Sequence, residues 1–250
     1  MVYNIQTGTG NYITEGYASK NCQLLQNPVA DKQQGFKLEW LNFHTIDVQA
    51  GWQAAKTMNR YLVVDPANEK KKDSDYTAMA VIGLGSDQNY YLLDMVWDRL
   101  NLEERTRRLF LLHRKWRPRR TGYEKYGKDS DIDHIKFVQN LENYRFNIVP
   151  LGGPMGLFDR IRRLHPVYAG DPDEPGSGRF YLPKELFRVD YEGRQVELIE
   201  RFITEEYEPF PVGTHPDTRN HRETPVILFA THRFVDPARI VAKARQPVHL

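Results

Sequence analysis

The sequence predicts an α/β protein in which helices flank a mixed sheet. Three observations predict it. Short apolar runs of strand length recur at Tyr61-Leu62-Val63-Val64, at about 76–84 and at about 90–95. From about residue 100 onward, strand-like runs alternate with segments of helical spacing, the pattern of layered α/β architecture. Two of the strand runs are joined directly by Gly85-Ser86-Asp87-Gln88, so an antiparallel hairpin belongs to the same sheet.

Taken in order, residues 1–21 read as two short strands about a Gly8-Thr9-Gly10 turn, a small N-terminal β-hairpin. Residues 22–58 read as a connector, with Phe36 to Leu41 extended and Gln49 to Met58 helical. The first core strand runs at about 60–65 and is followed by a highly charged loop, Asn68 to Asp75. Strands near 76–84 and 89–96 form the hairpin. Leu102, Leu109, Leu112 and Trp116 share one face of a helix over about 102–116, and Pro118 stops it. A strand at about 120–124 precedes a helix at about 132–143 that begins after acids, which suits its positive N-terminal dipole. Another strand spans about 146–151, and Gly170 to Gly178 is a Pro/Gly/Asp-rich loop.

Composition narrows the function. Forty per cent apolar residues in 250 suit a soluble globular domain with extensions. No apolar run approaches the roughly 18 residues of a membrane span, and no signal-peptide pattern opens the chain, so a cytoplasmic location is expected. A single cysteine argues against a disulfide framework and a Cys-rich zinc site. His215, His221 and His232 lack zinc-protease spacing. No phosphate-binding G-x-x-x-x-G-K-[ST] run is present, so ATP hydrolysis is not expected of this chain. The net charge of +2 is small, but cations crowd one stretch: Arg105, Arg107, Arg108, Arg114, Lys115, Arg117, Arg119 and Arg120. They suit either a phosphate backbone or a solvated helix face.

Two acids stand at strand ends. Asp65 closes Tyr61-Leu62-Val63-Val64-Asp65, and Glu124 closes Arg120-Thr121-Gly122-Tyr123-Glu124. Hard oxygen donors on rigid strands can share divalent metals, and such metals catalyse phosphodiester hydrolysis. This is the layout of RNase H-like nucleases, against the alternative of a chance acid at a strand end. The order of further segments resembles the nuclease domain of the large terminase subunit of tailed bacteriophages. The segments are Val64-Asp65-Pro66-Ala67, Asp73-Ser74-Asp75-Tyr76-Thr77-Ala78, Tyr90-Tyr91-Leu92-Leu93-Asp94, Asp98-Arg99-Leu100, Gly122-Tyr123-Glu124 and Ile148-Val149-Pro150-Leu151-Gly152-Gly153. Gly178-Arg179-Phe180-Tyr181-Leu182-Pro183 and Phe210-Pro211-Val212-Gly213 continue it. Gln23 to Val29 resembles the segment that leaves the family's ATPase domain.

The resemblance implies a metal-dependent endonuclease cutting double-stranded DNA with low sequence specificity. Two Mg2+ or Mn2+ ions about 4 Å apart are implied, held by Asp65, Glu124 and Asp217. It further implies an RNase H-like domain over 59–250, after a connector at 22–58 from a missing ATPase domain. The small terminase subunit and the portal are implied partners of the full-length protein. Asp217 is the awkward member. It matches the family's third acid, but Pro225 interrupts the helix expected after it. Asp236, Glu205 and Glu206 are the other candidates, the latter two reading more simply as surface acids. Lys125 and Lys128 are candidate phosphate contacts, as are Asp73 and Asp75 for metal. Rival readings are another RNase H-like nuclease of resolvase or transposase type, and a nuclease-dead DNA-binding or packaging module.

Residues 1–21 resemble instead the C-terminal end of an intein. Val2-Tyr3-Asn4 and Glu15-Gly16-Tyr17 precede a terminal Asn21, followed by Cys22. In that chemistry the Asn amide cyclises on its own carbonyl and cleaves the chain, and the following thiol accepts the upstream fragment. Lys20 stands where such ends usually carry His, so slow reaction is expected at best.

Overall fold

A computed structural model describes residues 11–14, 17–20, 35–66, 76–124, 130–151, 161, 163–171, 174 and 176–210. Its centre is a seven-stranded mixed sheet. The strands are β3 (Asn42–His44), β4 (Asn59–Asp65), β5 (Thr77–Leu84), β6 (Tyr90–Asp98), β7 (Arg120–Glu124), β8 (Ile148–Leu151) and β9 (Phe180–Pro183), in spatial order β3-β9-β6-β5-β4-β7-β8. β4, β5 and β6 run antiparallel to their neighbours within that trio. β7 and β8 add in parallel on one side, and β9 and β3 in parallel on the other. The mixed α/β architecture with its embedded hairpin is therefore the one the apolar runs predict.

Both faces of the sheet are buried, which explains why its central strands read as continuous apolar runs rather than alternating ones. One face packs Leu62, Val64, Met79, Val81 and Leu93 under α1 (Leu102–Trp116) and α2 (Ser130–Leu141), through Leu109, Phe110, Trp116 and Ile135. The other packs Tyr61, Val63, Ala78, Ala80, Ile82 and Trp97 under α3 (His165–Ala169) and α4 (Leu198–Phe202), with Tyr168, Ile199, Phe202, Tyr207 and Phe210. Burying each such large side chain contributes about 1.5–3 kcal/mol.

The α1 helix starts and stops for visible reasons. The Asn101 side chain accepts from the Glu104 backbone N–H at 2.9 Å, and the Glu104 carboxylate accepts from the Asn101 N–H at 2.9 Å, a capping box. It ends with Arg117 in the left-handed region (φ 47°) just before Pro118. The Arg117 guanidinium lies 4.3 Å from the Trp52 ring centre, which supports that turn. The α2 helix begins at Ser130 rather than near 132, and β8 is shorter than expected, at 148–151.

The segment 35–58 departs from its expected local structure. Leu38–Trp40 is a 3-10 turn rather than extended, and a 3-10 turn at Gly51–Gln53 stands where a helix was expected. Gly51 has φ +59° and presses against the Lys115 carbonyl, an approach that leaves no room for a Cβ. β3 joins the main sheet, held by His44 Nε2 2.8 Å from the Leu92 carbonyl and by Asn42 Nδ2 donating to the Gly178 carbonyl at 2.9 Å. Phe36 packs in the core.

Strands β1 (Asn11–Thr14) and β2 (Tyr17–Lys20) form a separate antiparallel pair. Thr14 stands opposite Tyr17 and Asn11 opposite Lys20, and Gly8-Thr9-Gly10 lies outside the described residues. A third sheet, β10 (Phe187–Val189) with β11 (Gln195–Glu197), is also antiparallel. Its turn is made by Asp190, which accepts from the backbone N–H groups of Glu192 and Arg194. No helix among the described residues is long and apolar enough to cross a membrane.

Candidate active site

Asp65 and Glu124 end adjacent parallel strands. The β4–β7 register runs from Tyr61 opposite Arg120 to Val64 opposite Tyr123, so the next position on each strand is the acid. Side chains alternate along a strand. Tyr61 and Val63 face the α3–α4 side and Val64 the α1–α2 side, which puts Asp65 on the α3–α4 side. Tyr123 faces α1–α2, which puts Glu124 on the α3–α4 side too. Neighbouring strands lie about 4.8 Å apart, so the two carboxyl groups emerge side by side. Both are largely buried, at 6% and 5% exposure.

The remaining predicted residues divide into those the structure describes and those it does not. Asp217, Asp236, Asn21, Cys22, Lys125, Lys128, Asp73 and Asp75 lie outside the described residues. Glu205 is exposed and pairs with Arg201 at 3.0 Å, consistent with a surface acid. Glu206 is not a surface acid: it is 5% exposed, on the π-helical turn Ile203–Tyr207. Among the described residues, no group of three or more His, Cys, Asp or Glu could hold a metal. Asp65 and Glu124 bring two hard oxygen donors together, fewer than such a group needs.

Much of the cationic cluster is absorbed by the fold. Arg105 is 4% exposed and donates to Asp131 at 2.6 Å. Arg114 pairs with Glu142, and Lys115 donates to Asp94 at 2.8 Å. Neither a bare phosphate surface nor a purely solvated face describes these three.

Asp94 is a buried site that sequence reasoning missed. It is fully buried mid-strand in β6. One oxygen accepts from Lys115 Nζ and from Trp116 Nε1 at 2.7 Å, and the other from Arg188 on β10. The hint in the sequence is an acid inside an otherwise apolar run. Its partners, 21 and 94 positions away, are not deducible from spacing.

Asp98 ends β6 opposite Thr77, at the same end of the sheet as Asp65, which pairs with Ala78. It accepts from the backbone N–H groups of Arg99 at 2.8 Å and Tyr191 at 3.2 Å. Burial raises its pKa above the ordinary carboxylate value, with Asp190 adding to the rise. A cleft of about 550 Å3 opens there, lined among others by Tyr76, Asp98, Asp190, Tyr191 and Arg201. Arg201 stacks on Trp97 at 4.0 Å and on Tyr76 at 4.7 Å, and Arg99 lies on Tyr76 at 4.4 Å.

No protein-family profile and no curated protein sequence matches the chain. Among solved structures, it is similar to the human cytomegalovirus terminase nuclease domain, Mn soaked and inhibitor bound. The identity is 12% and the TM-score 0.48, over 84% of this chain and 96% of that one. It is also similar to the large terminase nuclease from thermophilic phage G20c. The magnesium-bound form gives 12% identity and a TM-score of 0.43, over 78% of this chain and 94% of that one. A second structure of the same nuclease gives 11% identity and a TM-score of 0.45, over 78% and 95%.

Proposed function

We propose that this chain is a divalent-metal-dependent endonuclease domain of the terminase large-subunit kind, acting on double-stranded DNA. The observation that carries the reading is the placement of Asp65 and Glu124, each one step beyond the opposed pair Val64 and Tyr123 on adjacent parallel strands, on one face, and both buried. Two carboxylates side by side repel each other, and a divalent cation between them relieves that repulsion. Rigid strands hold both donors without an ordering cost at the moment of binding. When bound, Mg2+ or Mn2+ supplies water activation and stabilisation of the leaving oxygen. The chain's own part is to hold Asp65 and Glu124 at fixed spacing, with Asp217 proposed as a third ligand. Nothing in this arrangement reads base edges, so low sequence specificity is expected.

The N-terminal pair β1–β2 stands apart from the main sheet, which supports reading residues 1–21 as a remnant of an intein, with Asn21 and Cys22 as its reactive residues.

The test is plasmid nicking by the full chain in Mn2+ or Mg2+, against a chelator control. Metal-dependent nicking, stronger in Mn2+, is expected. DNA binding without nicking in either metal would replace the nuclease with a binding module. Cutting confined to branched junctions would favour a resolvase-type enzyme.

A further inference from the structure

We infer that Tyr123, Asp131 and Arg105 form a brace that positions Glu124 from the opposite face of the sheet. The inference rests on the metal-site reading above and adds to it three residues joined by hydrogen bonds.

One carboxylate oxygen holds the brace together. Asp131 Oδ2 accepts from the Tyr123 hydroxyl at 2.7 Å and from Arg105 Nη2 at 2.6 Å. That single atom joins the first turn of α1, the residue before Glu124, and the first turn of α2. Tyr123 is 2% exposed and Arg105 4%. A buried ion pair adds little net stability, because desolvation offsets most of the attraction. What it adds is position, since a charge-assisted hydrogen bond fixes both distance and direction.

Position is what Glu124 needs. It is the last residue of β7, paired with Leu151 at the end of β8. On the β8 side Tyr123 lies opposite Pro150, so in this parallel ladder Tyr123 itself pairs with the residues flanking the proline. Glu124 therefore sits at the very end of the ladder, just where a metal ligand is proposed. The Tyr123 hydroxyl supplies an anchor one residue away, and the alternation of the strand converts a fixed Tyr123 into a fixed Glu124 on the other face. Asp131 also ties the two flanks of 125–129 together, from Tyr123 on one side to α2 on the other.

The experiment is calorimetric titration of Mn2+ into the full chain and its variants without DNA. Tyr123→Phe keeps the ring and removes only the hydroxyl. It is expected to weaken Mn2+ binding by up to about tenfold, at the low end of what supporting hydrogen bonds contribute to metal sites. Asp131→Asn is expected to do the same. The double variant should be no weaker than Asp131→Asn alone, because both changes break one network. Arg105→Lys, which keeps the charge and loses the planar fork, should retain an intermediate affinity. Tyr168→Phe removes a buried hydroxyl under the other face and should leave the affinity unchanged. Wild-type affinity in Tyr123→Phe, or an equal loss in Tyr168→Phe, would overturn the brace while leaving the metal site standing. Absence of Mn2+ binding in the wild type would overturn the metal site itself. Should Tyr123→Phe melt below the assay temperature, the Arg105→Lys titration decides: unchanged affinity overturns the brace.

Discussion

Asp94 and the Asp65–Glu124 pair are buried in the same sheet to nearly the same degree, at 0%, 6% and 5% exposure, yet they occupy different places in it. Asp94 sits mid-strand with Lys115, Arg188 and the Trp116 indole drawn onto its two oxygens. Its charge is met by the protein, and it staples the end of α1 and the β10–β11 hairpin to β6. Asp65 and Glu124 sit at strand ends, where two adjacent strands deliver like charges to one face. The difference teaches that burial alone does not separate an acid that staples elements together from one proposed as a metal ligand. What separates the two sites is place: Asp94 lies mid-strand, whereas Asp65 and Glu124 lie at adjacent strand ends, where a second acid stands beside each.

The comparison breaks most visibly on activity. Asp65→Asn keeps shape and removes a charge, so Mn2+-dependent nicking should fall by about a thousandfold, the scale of losing one preorganised electrostatic contact in a site. A melting temperature near the wild-type value would show that the loss is not unfolding. Nicking that survives the substitution would show that Asp65 is not a ligand.

Asp94→Asn should do the reverse. It leaves Lys115 and Arg188 facing a neutral amide, and breaking a buried pair costs about 3 kcal/mol, the low end of the range because both cations reach the surface. A drop of roughly 6–12 °C in melting temperature is expected for a domain of this size. Residual metal affinity should match the wild type at temperatures where the variant is folded. An unchanged melting temperature would mean that Asp94 is not the staple described.

Asp98 is the intermediate case, and the smallest effect belongs to it. Its pKa is raised by burial, so the folded state prefers the protonated form. Above the raised value the ionised carboxylate costs stability. That cost fades as pH falls through the raised value and is gone below the unfolded value near 3.8. Asp98→Asn, whose amide oxygen can still accept from Arg99 and Tyr191, should raise the melting temperature slightly at pH 7 and leave it unchanged near pH 3. Thermal melts across that range check it. A destabilised variant at pH 7 would place Asp98 with Asp94, as an acid whose charge the protein uses.

Sequence reasoning read the molecule unevenly, for physical reasons. The α1 helix was legible because Leu109, Leu112 and Trp116 repeat at helical spacing and Pro118 closes the pattern. The β4–β6 strands were legible because a doubly covered sheet demands long apolar runs. Strands β3, β9, β10 and β11 are three or four residues each, too short to show a period, and depend on partners far along the chain. Gln49 to Met58 was misread as helix because the constraint that bends it, the Lys115 carbonyl against Gly51, comes from another element. Asp65 and Glu124 stood out because each closes an apolar strand. The Asp94 cluster and the Tyr123–Asp131–Arg105 brace did not, since hydrogen bonds between distant residues leave no spacing to count.

The most direct test of the proposed metal site is anomalous diffraction from crystals soaked in Mn2+. A peak is predicted between the Asp65 and Glu124 carboxylates, about 2.0–2.6 Å from an oxygen of each, the range for hard cations on carboxylates. A peak confined to the cleft beside Asp98 and Asp190, or no peak at the ends of β4 and β7, would contradict it.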